Sequence, residues 1–468
     1  MKTLLFGGLL LLCTVGALLD PVLGILGYMG HYCVGPDRQW WAVPINRLGI
    51  RYSYTLALVT AVGIVLNWRR LRFGRFLLGQ EKLMLLFLGV VWLALLIGEQ
   101  TVGRYTVTDH PSVKLAKVTI FALMLSHVVT DLKRLDWVLW VLVVGTLILG
   151  LQAYDTPRGA FMKGRLETIG GPDFSEANVL PAFLSAMLPL VGIQFLRSGW
   201  VGRAICLLSG AFAANAIVLT RSRGALVGLA VGAVVAAVLA RRRYRTKILV
   251  CLVIAALGGL YLTDAGFRSR ARTISRPEDQ RDASAQSRLE IWKGGLRMVL
   301  ANPLGVGPGN FHQSIGRYAP RHSGRDAHNT FVRCAGDLGV PGIAVLVALI
   351  VSAFRTLKIA RVQAETLPQS LRDRVYLINY GLAVGLVSFL GCGLTITLVY
   401  NEALWWLLVL PVCSQRAVAN LQADLVPAQA GLGVEPGRVG GRGRPRLGPR
   451  ERVPGLVPEP GLGGEGGR

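Results

Sequence analysis

Long apolar runs separated by polar intervals recur along most of the chain, at residues 4–27, 50–66, 83–98, 115–130, 136–152, 177–195, 202–220, 224–240, 248–263, 338–355, 376–394 and 397–414. A helix needs about 20 residues to cross a hydrocarbon core roughly 30 Å thick, so the pattern predicts an all-α integral membrane protein with about twelve transmembrane helices. The shorter runs span by extending into the interface. Met1 to Gly27 begins like a signal peptide, with Lys2 ahead of an apolar run, but has no convincing small-x-small cleavage site and is expected to be a retained first span. The longest polar interval before the C-terminal tail is 264–337, between the ninth and tenth runs. The expected organisation is a nine-span region 1–263, an inserted loop domain 264–337, a three-span region 338–414 and a tail 415–468.

Composition agrees with this reading: 52% of the residues are hydrophobic and the mean hydropathy is +0.48. The formal charge of +25 would point to nucleic acid in a soluble protein. Here much of it lies in short loops, as in WRRLRFGR, LKR and RRRYRTK, where it reports topology, and no nucleic-acid partner is expected. With the N terminus inside, these clusters fall inside. The outer side then receives Tyr28 to Gly49, Glu99 to Lys114, Gln152 to Glu176, the Arg221 turn and the 264–337 loop, and both chain ends are cytoplasmic. The seven cysteines contain no CxxC pair and lie mostly in or beside apolar runs, so neither a zinc site nor a disulfide framework is expected. The segment Gln422 to Arg468 is rich in Gly, Pro and Arg, and is expected to be a disordered interior tail.

Candidate chemistry lies on the outer side. In RLETIGGPDFSEANVLPAF, Asp173 and Asn178 suit either of two roles, capping the next helix or facing substrate, and the sequence leaves both open. In TRSRGAL, Arg221 and Arg223 sit where one span ends and the next begins. Lipid-headgroup anchoring is the plain reading of such a pair, and a clamp for a lipid-linked diphosphate is the functional one, because guanidinium offers fixed charge-assisted donors to phosphate oxygens. Gly224, Gly228 and Gly232 recur every four residues, which puts them on one helix face and allows a neighbouring helix to approach closely.

The large loop has three parts. Arg268 to Arg281 is basic, polar and interrupted by Pro277. Ala283 to Ala301 reads as a helix, with Leu289, Trp292, Leu296 and Leu300 at helical spacing. Two readings stand for it: a helix lying on the membrane with Trp292 embedded, or one that brings Arg288 over the same cavity as Arg221. NPLGVGPGN lacks the GxxxxGK[ST] pattern and reads as a tight turn that places Phe311 and Tyr318. In DAHNTFVRCAG, His328 stands beside Asp326 and Asn329 near the start of the next span, where an imidazole with a carboxylate neighbour suits general-base work. No second histidine or cysteine stands at a standard short ligand spacing, so no metal is expected. Asp337 is positioned to cap the span beginning near Gly339.

Taken in order, TRSRGAL, SRLEIWKGGLRM, NPLGVGPGNF, a following tyrosine and HNTFVRCAGDLGVPG resemble the motifs of the O-antigen ligase and Wzy-type polymerase superfamily of bacterial membrane glycosyltransferases. The resemblance covers roughly Gly170 to Gly342, while PDRQWW and RYS near the start are loosely similar to exosortase-associated O-glycosylation ligases. It implies a GT-C-like architecture in the bacterial inner membrane and a large periplasmic loop. It also implies metal-independent, inverting transfer of a glycan from an undecaprenyl-diphosphate carrier to lipid A-core, protein or another carrier-linked glycan, without a cofactor. The family's functional arginines and histidine match Arg221, Arg288 and His328, with Arg223 as a possible partner. Asp173, Asn178, Asn310, Tyr318 and Asn329 complete the expected substrate-binding set. A Wzy-like polymerase is the nearest alternative, and a polysaccharide exporter or flippase is the alternative outside enzymes.

Overall fold

The computed structural model describes residues 1–99, 105–162, 164–263 and 283–431. It is helical throughout, and its one isolated β-bridge joins Met162 and Arg165 among the described residues. The principal helices are α1 (Lys2–Leu19), α2 (Pro21–Val34), α3 (Tyr52–Leu66), α4 (Gly79–Ile97), α5 (Pro111–Val128), α6 (Leu132–Asp155) and α7 (Val179–Arg197). They continue with α8 (Trp200–Thr220), α9 (Arg223–Leu239), α10 (Arg242–Leu262), α11 (Ala283–Ala301), α12 (Thr330–Gln363), α13 (Gln369–Gly393) and α14 (Glu402–Gly431). Among the described residues ten helices are long and apolar enough to cross a membrane. Two shorter apolar helices, α3 and α9, fall on expected spans. The chain is thus an all-α, multi-spanning membrane protein.

Three elements depart from the apolar pattern, each for a local reason. The run 4–27 is two helices, because Pro21 cannot continue α1, and Asp20 turns the chain and accepts the Val22 N–H at 3.2 Å. The run 338–355 is the middle of α12, which begins at Thr330 and kinks at Gly339, where φ is 67° and ψ −163°. After the last apolar run α14 continues to Gly431, and Arg416, Asn420 and Gln422 donate to the carbonyls of Ser126 in α5, Thr130 and Gln363 at the end of α12. Met1–Asp424 is one compact unit. Of the second unit, Leu425–Arg468, the described residues are 425–431, in the last turns of α14. The rest of the expected tail, and the basic segment Arg268 to Arg281, lie outside the described residues.

The glycine stripe does what its spacing predicts. A Cβ at Gly228 would lie 2.6 Å from the Ser388 carbonyl oxygen and one at Gly232 would meet the Ser388 hydroxyl, so α9 lies directly on α13. Helices α7 and α8 pack beside them. Those four helices, with α12 and α14, present one set of ends to the polar connections that carry the candidate residues. At the far ends of α7 and α13, Arg197 and Arg374 both pair with Asp136 of α6.

Candidate functional site

The first wall of the site is the turn between α8 and α9. Arg221 ends α8 in the left-handed region, φ 49°, where a non-glycine residue is uncommon. Ser222 then caps α9, accepting the Ala225 N–H at 3.4 Å while its hydroxyl donates to Asn178 Oδ1 at 3.1 Å. Arg165 donates to the Thr220 carbonyl at 2.9 Å and to Asn178 Oδ1 at 2.7 Å, so the 165–178 segment is strapped to this turn. Asn178 makes no side-chain cap on α7. Asp173 caps nothing there either: it pairs with Lys114 and accepts from the Tyr32 hydroxyl at 3.1 Å and the Glu402 N–H at 3.0 Å.

The second wall is α11, which occupies the predicted residues but buries a different face. Ile291, Gly294, Gly295 and Met298 point inward, and a Cβ at Gly295 would lie 2.8 Å from Val332 Cγ1. Arg288, half-buried on the first turns of α11, has its guanidinium pKa pushed down by burial and by the neighbouring Arg223. Arg223 is the first residue of α9, so two cations and a helix N-terminus converge, an arrangement suited to an anion.

The roof carries His328. Ser287, Arg288, Ile291, Arg325, Asp326 and His328 line a cavity of about 230 Å³. His328 is also left-handed, φ 45°, and is held from two sides. The Trp292 indole donates to the Ala327 carbonyl at 2.8 Å, and Asp326 accepts the His328 N–H at 3.2 Å. The His328 Nδ1 lies 3.9 Å from Asp326, within reach for an ion pair and too far for a hydrogen bond. Burial pushes the Asp326 carboxyl up, but Arg333, Thr397 and His328 outweigh it and hold its pKa below the ordinary range.

Beneath the roof is a buried polar hub. Arg333 pairs with Asp326, with Asp337 at 2.7 Å and with His312 Nδ1 at 3.0 Å. Asp337 does not cap the span, as its position suggested. It is fully buried and accepts from the N–H groups of Gly309 at 3.0 Å and Phe311 at 2.8 Å and from the Tyr400 hydroxyl at 3.0 Å. NPLGVGPGNF is therefore a turn wrapped around a carboxylate. Gly305 is left-handed there, φ 88°, and a Cβ on it would collide with the Asp337 backbone.

The structure thus brings Arg288 and His328 to one cavity, sets Arg223 close enough to Arg288 for its charge to be felt there, and places Arg221 on the turn just before Arg223. Other expected substrate contacts have internal partners. Asn310 donates to the carbonyls of Glu99 at 2.6 Å and Val306 at 3.0 Å. The Tyr318 hydroxyl accepts from Asn302 at 2.8 Å, and Asn329 caps α12 and donates to Leu394 at 2.9 Å. Sequence reasoning missed Arg325 and Glu176. Desolvation and the charge of Asp326 raise the Glu176 carboxyl pKa against the lowering effect of His328, so Glu176 stands within electrostatic reach of the roof residues. Its signal was an acid two residues before Asn178, the residue that fixes the turn.

The described residues thus form a membrane-spanning helical bundle with Arg288, Arg325 and the His328 imidazole lining one cavity. The family model for O-antigen ligase matches residues 208–347, from the middle of α8 through the Arg221 turn, α11 and the roof to the part of α12 beyond its kink. The match covers under a third of the chain and supports a ligase- or polymerase-type function in general. It does not reach PDRQWW. No curated protein matches the chain.

Proposed function

We propose that the protein transfers a glycan from an undecaprenyl-diphosphate carrier to a periplasmic acceptor hydroxyl. The observation that carries this reading is the cavity shared by Arg288 and His328, with Arg223 beside Arg288. A diphosphate is an activated leaving group that needs charge neutralisation more than bond activation. The acceptor oxygen attacks the anomeric carbon, the bond from that carbon to the diphosphate oxygen breaks with its electron pair, and configuration inverts. Arg288, Arg223 and Arg221 stabilise the departing diphosphate, and His328 takes the hydroxyl proton. Asp326, fixed by Arg333, holds the peptide that carries His328. The lipid tail remains among the spans and the glycan lies under the roof, which accounts for the position of these groups at the bundle's edge.

The test is reconstitution with labelled undecaprenyl-diphosphate glycan and separate acceptors: lipid A-core, a protein, and a second carrier-linked glycan. His328→Ala is expected to lower transfer by roughly 10²–10⁴-fold, and Arg288→Gln by roughly 10²–10³-fold. An H328A protein of normal abundance with unchanged transfer overturns the base assignment. Chain growth on the carrier alone selects a polymerase, and translocation without bond formation rejects both enzyme readings.

A further inference from the structure

Helix α11 has two apolar faces, and the protein uses one. Its inner face is committed: Ile291 and Met298 join Val306, Phe311, Ile315 and Ala327 in one cluster, and Gly294 lets Ala319 approach to where a Cβ would be 2.9 Å away. Leu289, Leu296 and Leu300 lie elsewhere. At 100° per residue they fall within an arc of about 40°, and Leu296 and Leu300 are 63% and 75% exposed. Leu304, in the turn that follows, is 53% exposed.

That stripe does not end at the turn. The Val340 N–H donates to the Pro303 carbonyl at 2.8 Å, which ties the end of the α11 segment to the point where α12 resumes beyond its kink. From there Val340, Val347 and Val351 are exposed on α12, with the same spacing as the three leucines and the same arc of about 40°. Exposed valines on a helix that crosses a membrane meet acyl chains. An outward leucine face joined to such a surface through Leu304 and Val340 is continuous with it.

We infer that α11 is an interfacial helix whose Leu289–Leu296–Leu300 face is seated in the phospholipid leaflet on the side of the candidate site. An amphipathic helix of this kind lies in the headgroup region with its apolar face about 5–10 Å deep. Lys293, exposed beside the stripe, reaches back to headgroup level along its aliphatic stem. Arg288, one residue from the leucine face and lining the cavity with the opposite wall, is held at headgroup height. This follows from the apolar surface alone and stands whether or not the protein transfers glycan.

Nitroxides at Leu296→Cys, Leu300→Cys and Leu304→Cys in the full chain test it, with Ser323→Cys in the exposed roof loop as the aqueous reference. Six native cysteines are buried, and Cys251, the half-buried one, is replaced by serine. In vesicles of phosphatidylethanolamine and phosphatidylglycerol, the three stripe positions are expected to relax readily with oxygen and poorly with a water-soluble nickel chelate. Their oxygen-to-nickel ratio should be several-fold above that of position 323. Nickel access equal to the reference overturns the inference. Exclusion of both agents also overturns it, because the face is then covered by protein, either residues 264–282 or a second copy. Each labelled position is mostly exposed, and an unchanged melting temperature in detergent shows that the variants fold.

Discussion

Replacing Arg333 by methionine removes a guanidinium that is 5% exposed and lies between two carboxylates. Asp337 is 2.7 Å from its Nε, Asp326 binds its Nη1, and His312 Nδ1 lies 3.0 Å from that same nitrogen. Asp326 is reached by solvent and takes water in the variant, whereas Asp337 is fully buried and keeps the N–H groups of Gly309 and Phe311 and the Tyr400 hydroxyl. Removing one partner of a buried ion pair costs about 3–5 kcal/mol, chiefly the penalty of the charge left behind. The measurement is unfolding in mixed dodecyl maltoside and dodecyl sulfate micelles. Lysine at 333 keeps the charge but loses the fork that reaches both carboxylates, so R333K should fall between wild type and R333M. Adding Asp337→Asn to R333M should recover part of the loss. The deficit also has a sign in pH. Wild-type Asp326 is depressed, so its contribution is present above the ordinary carboxylate pKa and is lost as pH falls through its lowered folded value. The R333M deficit should therefore narrow as the solution is acidified through that window. A deficit below about 1 kcal/mol, the size of an ordinary neutral hydrogen bond, refutes the hub as described.

Two further outcomes follow from the geometry. Gly228→Leu drives a side chain into the Ser388 carbonyl and the Cys392 N–H, 2.6 and 3.0 Å from its Cβ, and should cost at least about 1–3 kcal/mol by parting α9 from α13; wild-type stability in the same micelle titration counts against that contact. Glu176 has a folded pKa raised above its ordinary 4.5, so its effect on stability is neutral or favourable below that value and turns unfavourable as pH rises through the folded pKa. Glu176→Gln should match wild type in acid and melt higher in alkali, and parallel melting curves across pH would show that Glu176 does not sense the site's charge.

Much of the frame could be read from hydropathy, because bilayer thickness imposes a length on every apolar run. The roof helix was also visible at the predicted residues. Its buried face was not, because Gly294 and Gly295 contribute contact through their lack of a side chain, and the leucines that signal an apolar face point outward. Arg221 and Arg288 stood out as arginines on the expected outer side, and His328 as an imidazole beside Asp326. Most of the Asp337 hub did not: beyond Arg333, four residues earlier on the same helix, its partners come from residues 309, 311 and 400, and no local pattern links a carboxylate to a glycine turn that precedes it and a tyrosine two connections later. Asn310, Tyr318 and Asn329 suggest substrate contacts in sequence for the converse reason: a polar side chain in a motif looks the same whether it faces a ligand or a backbone carbonyl. The break at Asp20 and Pro21 had a plain signal, an acid and a proline inside an apolar run, that the length of the run concealed.

The left-handed backbone at Arg221 and His328 has a use before any substrate is known. Among the described residues three non-glycine positions adopt it, and the third is Thr168, in the loop strapped beside the Arg221 turn. Glycine relieves such a conformation at all three positions, most of all at the β-branched threonine, while removing the side chain that the position presents. Two selections on one library, for folded abundance and for complementation of the host, should therefore disagree here: the first enriches glycine, the second retains arginine and histidine. Wherever the selections diverge, the chain is accepting strain for chemistry, and position 168 becomes a site residue or an ordinary turn according to the side on which threonine falls.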